Sequence, residues 1–395
     1  MKFSALLESE QIIEVIERIR NRNIELHLDG CISLLDDEDN IWITPDQFDE
    51  TSLSIDDIVF VSKEGEIEEN KVPSKYLALH RSIYQKNRNV RAVCHVFSPA
   101  FSKLGDEFNY GILNSLPNIS KLVGTVAIED LGRANDDEWI ESITNHFEGF
   151  RATIIFKGTG MLVSGPSLHN VFHKVENIEK LSCTYLKSKK LGSLKRPNIE
   201  AVETVKEYEA GPFVGLRGRK SYTDFSSFHA ELLRLAKYSY QKQWVTASTG
   251  SFSVRADADS FFINPADVDR KYLVSDDLVY IKKDKVEANK IPEERVWVHR
   301  TMYEQNPKIH AIAFIFPDDL GAYCIINSET ALDLSDGKMV KLGLEKVFDG
   351  ETLTVESKGA RNGIFIENDA FLSVGKNADT VIKKIESAMQ KLTVD

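Results

Sequence analysis

The chain contains one long segment twice. Residues 71–97 read KVPSKYLALHRSIYQKNRNVRAVCHVF and residues 290–316 read KIPEERVWVHRTMYEQNPKIHAIAFIF, with eight identities in 27 ungapped positions at an offset of 219. Upstream, SIDDIVFVSKEG from Ser54 pairs with VSDDLVYIKKDK from Val274, and CISLL from Cys31 pairs with SFSVR from Ser251. A period near 219 is far longer than the roughly 20–50 residues of solenoid units, so each copy is the size of a domain. Whatever one copy folds into, the other must fold into as well. The expected organisation is a first copy over residues 1–190, a connector over 191–222 and a second copy over 223–395. The connector is rich in Gly, Pro and charge, with a short helix expected near Ile199–Tyr208.

Within each copy the pattern alternates between helical and extended periods. Ile12, Ile13, Ile16 and Ile19 recur at helical spacing, as do Phe228, Leu232, Leu233 and Ala236. Short β-rich runs follow at NIWIT (40–44) and SFFIN (260–264), then at Ile58–Val61 and Leu278–Ile281. DDED at 36–39 is expected to be a hairpin tip. Pro73 and Pro292 stand where a helix is expected to begin. The helix expected over 74–86 places Leu77, His80 and Tyr84 on one face, and Val296, His299 and Tyr303 repeat that face. Apolar strands follow at 90–97 and 309–316, then hairpins at 153–165 and 364–375, each leading into a closing helix. Strands that are apolar throughout are covered on both faces, so the expected class is a three-layer α/β/α fold, duplicated. His80 and His299 are expected to be core histidines bonded to backbone.

Charge and cysteine content exclude other classes. Lys and Arg number 49 against 61 Asp and Glu, a net charge of −12. This argues against a nucleic-acid binder, which carries a basic stripe. No apolar run approaches the roughly 18 residues that span a bilayer, and the charged opening MKFSALLESEQ does not read as a signal peptide. Cys31, Cys94, Cys183 and Cys324 form no CxxC pair, which fits reduced thiols in the cytoplasm. KSKKLGSLK (187–195) reads as a solvated edge of the connector.

Taken together, ITP (43–45), SIDDIVFV (54–61), VPSKYLALHRSIY (72–84), AVCHVFSP (92–99), GTGMLVSG (158–165) and TGSFSVR (249–255) resemble the class II aldolase/adducin domain family over nearly all of both copies. The resemblance implies a mixed, mostly antiparallel central sheet in each copy. It also implies metal-dependent aldolases or epimerases of sugar phosphates, in which three histidines hold a divalent ion, usually zinc. A glutamate on the Pro-Ser-Ser-Glu helix, the one that carries the downstream His and Tyr, handles the proton, and Lewis-acid stabilisation of an enediolate is the chemistry. Carried onto this sequence, the ligand positions are His95, Phe97 and Thr159 in the first copy and Phe314, Phe316 and Asp369 in the second. The glutamate positions are Tyr76 and Arg295. A tetrahedral zinc site needs about three protein ligands, so these sets read as degenerate, and no metal or other cofactor is expected.

The reading that follows is a non-catalytic tandem aldolase-like protein serving as a binding or scaffold module. It would be cytoplasmic and a homodimer imitating the family's tetramer, with a small sugar-like metabolite as a candidate ligand and neither nucleic acid nor membrane as a partner. The alternative is a metal-dependent aldolase or epimerase, dependent on zinc or another divalent metal, with a site rebuilt in the first copy. Candidate catalytic residues for it are Lys75, Tyr76 and His95. Candidate substrate-binding residues are Ser33, Thr44, Ser74, Thr159, Ser253 and Arg255. Lys75, Tyr76, His95 and Thr159 could together form a polar pocket. The histidine pair His169 and His173 has metal-binding spacing on a helix, but solvent exposure is the expectation there.

Overall fold

The computed structural model describes residues 3–26, 30–134, 136–148, 151–196, 214–216, 225–283, 285–327, 333–334, 337–342 and 363–394. The helix expected near Ile199–Tyr208 lies outside them. Two compact units divide the chain: 1–113 with 119–182, and 183–395 with 114–118.

The first unit holds a seven-stranded sheet in the order β3-β2-β1-β4-β7-β6-β5, formed by β1 (Cys31–Leu35), β2 (Ile41–Ile43), β3 (Val59–Val61), β4 (Ala92–Phe97), β5 (Thr125–Glu129), β6 (Arg151–Phe156) and β7 (Gly160–Gly165). All its ladders are antiparallel except β5 with β6. The β1–β2 turn is closed by Asp36, whose carboxylate accepts from the backbone N–H groups of Glu38 and Asn40 and from the Trp42 indole at 3.1 Å. The central strands β1 and β4 are buried almost throughout, so both faces are covered. On one face, Cys31, Ile41, Ile43, Val59 and Val61 pack with Leu79 and Ile83 of the helix Leu77–Lys86 and with Ile140 and Ile143 of the helix Asp137–Asn145. The amphipathic helix Glu8–Asn21 lies against β1 and β2. The long helix Leu168–Ser188 follows β7.

The second unit repeats the scheme in a nine-stranded sheet of order β16-β17-β18-β13-β9-β10-β11-β12-β8. Its strands are β8 (Val214–Leu216), β9 (Ser251–Arg255), β10 (Ser260–Ile263), β11 (Val279–Lys282), β12 (Lys285–Glu287), β13 (Ala311–Ile315), β16 (Val340–Leu342), β17 (Ile364–Ile366) and β18 (Phe371–Gly375). A separate ladder joins β14 (Asp333–Leu334) to β15 (Gly337–Lys338). The register β1–β4 and β9–β13 matches between units: Ser33 stands opposite Val93, and Ser253 opposite Ile312. The helices Ser226–Gln241, Val296–Gln305 and Ala378–Lys391 correspond to those of the first unit. This is the duplicated, mixed α/β architecture expected.

Three details differ from expectation. Pro73 and Pro292 do not open helices. They bridge Pro45 and Pro265, and the helices start later, at Leu77 and Val296. Residues 214–216 of the expected connector form a strand of the second sheet, parallel to β12. Two of the connector-edge lysines are ion-paired: Lys187 with Asp319 and Lys195 with Glu367, both at 2.5 Å.

Candidate functional site

Each unit buries the same polar network under its central strands. Side chains two apart on a strand share a face, so Cys31 and Ser33 both point at the following helix, where His80 and Tyr84 share a face four residues apart. His80 is fully buried, with Nδ1 2.7 Å from Ser33 Oγ and Nε2 3.2 Å from Cys31 Sγ. Ser33 Oγ is also 2.6 Å from the Tyr84 hydroxyl. The second unit rebuilds this with Ser251 in place of Cys31. His299 Nε2 is 2.8 Å from Ser251 Oγ and Nδ1 is 2.6 Å from Ser253 Oγ, which lies 2.7 Å from the Tyr303 hydroxyl. Burial pushes both imidazoles down to about 3, reinforced by His95 for His80 and by the Arg295 cation for His299. Both rings are therefore neutral at physiological pH and span two side-chain partners. The expectation of bonding to backbone is corrected: the partners are side chains on the neighbouring strand. The signal for this was present, since a Cys/Ser-x-Ser on a strand and a His-x-x-x-Tyr on a helix recur together at one offset.

Beyond this network the two units fill the equivalent place differently. In the first, fully buried His95 is flanked by rings: Tyr76 at 4.8 Å edge-on, Phe97 at 5.0 Å and Phe156 at 5.4 Å. Lys75 is exposed, its ammonium 5.5 Å from the Tyr76 ring. Thr159 sits in the β6–β7 turn, where its hydroxyl donates to the Phe156 carbonyl at 3.1 Å and its carbonyl accepts from Ser98 N–H. Ser74 accepts from Tyr76 N–H at 3.3 Å and hydrogen-bonds Cys31, whose thiol burial pushes up to about 12. Thr44 Oγ1, fully buried, accepts from Ile32 N–H. The structure thus brings Tyr76, His95 and Phe97 together, while Ser33, Ser74 and Thr44 are buried and engaged in internal bonds.

In the second unit a guanidinium occupies the corresponding place. Arg295 pairs with Asp369 and with Glu293 Oε1 at 3.0 Å, and stacks 5.5 Å above the Phe314 ring. Asp369, its side chain 2% exposed, also accepts from the Asn118 amide. Burial alone would lower the guanidinium pKa, yet Asp369 and Glu293 hold it above its ordinary value. Sequence reasoning singled out Arg295 and Asp369 separately and missed that they pair. Arg255 is engaged with backbone: its Nε donates to Ile309 O at 2.8 Å and its Nη2 to the carbonyls of Tyr303 and Asn306, closing the C-terminal end of the helix Val296–Gln305. Ser253 lies within the histidine network already described.

These residues do not fit a divalent cation. Zinc takes about three N, S or O protein ligands in a tetrahedron, and the rings of Tyr76, Phe97 and Phe156 flank His95. Beside Asp369 and Glu293 the charge is already supplied by Arg295. Among the described residues, no group of three metal-ligating side chains gathers at His95 or at Asp369. His169 and His173 are half-buried on their helix, with ring centroids 4.1 Å apart.

A family model described as "Class II Aldolase and Adducin N-terminal domain" matches residues 10–186 and again 230–392. Among curated proteins the chain is similar to a 5-deoxy-D-ribulose 1-phosphate aldolase of Bacillus thuringiensis serovar kurstaki, 24% identical over 217 residues, covering 51% of this chain and 95% of that protein. Among solved structures it is similar to an L-fuculose 1-phosphate aldolase, with TM-score 0.41 and 22% identity over 51% of this chain and 94% of the other. It is also similar to an aldolase II superfamily protein from Pseudomonas syringae, with TM-score 0.44 and 16% identity over 51% and 85%. Among the described residues no helix is long and apolar enough to cross a membrane.

Proposed function

Since the chain belongs to the class II aldolase and adducin N-terminal domain family through both of its copies, we propose that it is a non-catalytic member that works as a binding or scaffold module. The observation that carries this reading is the Arg295–Asp369 ion pair over Phe314. A fixed cation stands where the family resemblance calls for a metal and its proton-handling carboxylate. A guanidinium has no open coordination position and stays protonated, so it cannot act as a Lewis acid that exchanges water for substrate. In the first copy, the aromatic surroundings of His95 support the same reading. The domain organisation we propose is two degenerate copies, 1–190 and 223–395, joined by residues 191–222, of which 214–216 add a strand to the second sheet. A cytoplasmic homodimer would supply four copies of the domain, and a sugar-like metabolite is the small ligand this reading admits.

Elemental analysis of untagged protein after exposure to zinc, manganese and iron tests this reading. We expect no retained ion, and no cleavage of 5-deoxyribulose 1-phosphate or fuculose 1-phosphate above the buffer rate. Close to one tightly held ion per chain, or turnover of either sugar phosphate, would establish the enzymatic alternative instead. Light scattering is expected to give twice the 44.6 kDa chain mass.

A further inference from the structure

The two units end their sheets differently at one edge. In the second, β12 returns antiparallel to β11, with Val286 opposite Ile281, and β8 then adds in parallel, with Gly215 opposite Val286. In the first, the chain makes the same return after β3, with Ile67 bridging Val61 and Ser62 N–H donating to Glu66 O at 2.9 Å. There, among the described residues, the sheet stops. The equivalent side chains report the difference: Val286 is 3% exposed and Ile67 is 43% exposed.

A groove of about 790 Å³ adjoins this open edge, with Ser9, Trp42, Ile55, Phe60 and Ile67 among its lining residues. Trp42 and Phe60 meet edge to face at 5.0 Å. Their counterparts Phe262 and Tyr280 meet at 5.1 Å and carry a third ring, Phe225, at 5.2 and 5.6 Å. The second unit therefore contributes both an extra strand and an aromatic plug from its own chain, and among the described residues the first contributes neither. The groove's rim is acidic. Asp56, Glu66 and Glu68 line it, and its lysine, Lys71, is held by Glu68 at 2.9 Å and by the Ile58 carbonyl at 3.1 Å.

We propose that this edge and groove form a docking site for an extended peptide of a partner protein, carrying an apolar or aromatic residue next to a run of arginine and lysine. The peptide adds a strand beyond residues 66–68 through main-chain hydrogen bonds, as β-augmentation does. Its apolar side chain fills the groove, and its cations meet the carboxylates. The chemistry is that of the chain's own added segment, since residues 212–220 read PFVGLRGRK. Charge on an edge strand also prevents self-association. Here it is of one sign over residues 64–69, EGEIEE, so the edge repels a second copy of itself while attracting a basic strand.

The test is fluorescence anisotropy of labelled PFVGLRGRK titrated with the full chain. A second peptide carries Arg217→Glu, Arg219→Glu and Lys220→Glu. Saturable binding of the first peptide is expected. It should weaken about tenfold or more with the second peptide, with the surface variant Glu66→Lys/Glu68→Lys, and with Ile67→Asp. Raising salt from 50 to about 300 mM should weaken it too. Equal binding of both peptides refutes the proposal, as does the absence of saturation up to about 1 mM. Unchanged affinity in the charge-reversed variant also refutes it, because the peptide would then be exchanging with the strand already resident on β12. Failure here leaves the non-catalytic reading untouched, since that reading rests on metal content and turnover.

Discussion

Arg295→Met is the substitution that most directly probes the second copy. Methionine keeps the apolar stem over Phe314 but removes the cation that pairs with Asp369 and Glu293, whose side chains are 2% and 9% exposed. Breaking a buried pair by deleting one partner costs about 3–5 kcal/mol, because a charge is left without compensation. Two contacts soften the loss. The Asn118 amide still donates to Asp369, and Glu293 still accepts the residue-295 backbone N–H at 2.8 Å. The expected cost is therefore the low end, about 3 kcal/mol. For a unit of this size that is a fall of about 6–12 °C in Tm. Asp369→Asn removes the charge rather than its partner and leaves Arg295 paired with Glu293, so about 2 kcal/mol is expected. The assay is urea unfolding of both single variants and the double variant. A protein of two units need not unfold in one step, so the affected transition is read by itself. The double variant should be more stable than the sum of the singles by about 1.5 kcal/mol or more. Additivity within about 0.5 kcal/mol, or a cost below about 1 kcal/mol for Arg295→Met, would refute the claim that this guanidinium is the charge on which the buried acids depend.

Other outcomes follow from the duplicated histidine network. Folding depresses the His80 and His299 pKa values to about 3 from an ordinary value near 6.5, so the unfolded chain binds more protons between those limits. Stability should be full above pH 6.5 and fall as pH drops, by about 2 kcal/mol per histidine on reaching pH 5. Urea midpoints measured from pH 7 to pH 5 check this, and a flat profile over that range contradicts it. Ser33→Ala strips the shared partner from His80 and Tyr84 and should cost about 1–3 kcal/mol; a cost indistinguishable from zero in chemical denaturation would show the bonds contribute nothing. Cys31, Cys94 and Cys324 are fully buried with thiols raised by burial, so Ellman's reagent at pH 8 should react with them only on unfolding. Their rapid labelling in the native protein would contradict the described burial.

Much of the fold was legible because its signals are local. The helix over Glu8–Asn21 and the strand pairs around Trp42 and Phe262 follow from periods of 3.6 and 2 within a few residues. The repeat then doubled each reading. What failed was non-local. Pro73 satisfies the local rule for a helix start, yet its backbone is drawn into a bridge with Pro45, 28 residues earlier. The strand Val214–Leu216 lies in a stretch that reads as connector, and only the β12 edge gives it a partner. Arg295 and Asp369 are 74 residues apart, and nothing in either segment announces the other. The histidine network was half visible. Buried helix positions were evident for His80 and His299, but their hydroxyl and thiol partners depend on strand register, which a periodic pattern fixes only once the neighbouring strand is known.

The duplication also supplies an internal control on which parts of the molecule the fold itself requires. Ser33, His80 and Tyr84 recur as Ser253, His299 and Tyr303 with hydrogen-bond distances that agree within about 0.1 Å. Only one member differs, Cys31 for Ser251. A network preserved in chemistry and geometry in both copies is one the architecture depends on, because it joins the central strand to the helix that covers it. A short distance away the copies share Phe97 and Phe316 but differ at the two positions beside them: Tyr76 and His95 in one, Arg295 and Phe314 in the other. Had both copies retained one reaction, the second set would be constrained as tightly as the first, since catalysis demands particular donors at particular positions. One copy instead surrounds the position with aromatic rings and the other with an ion pair over a ring, two chemically different solutions. Packing accepts such alternatives as long as volume and charge are balanced. The divergence fits the non-catalytic reading, and the shared network marks where substitution costs stability before it alters what the protein binds.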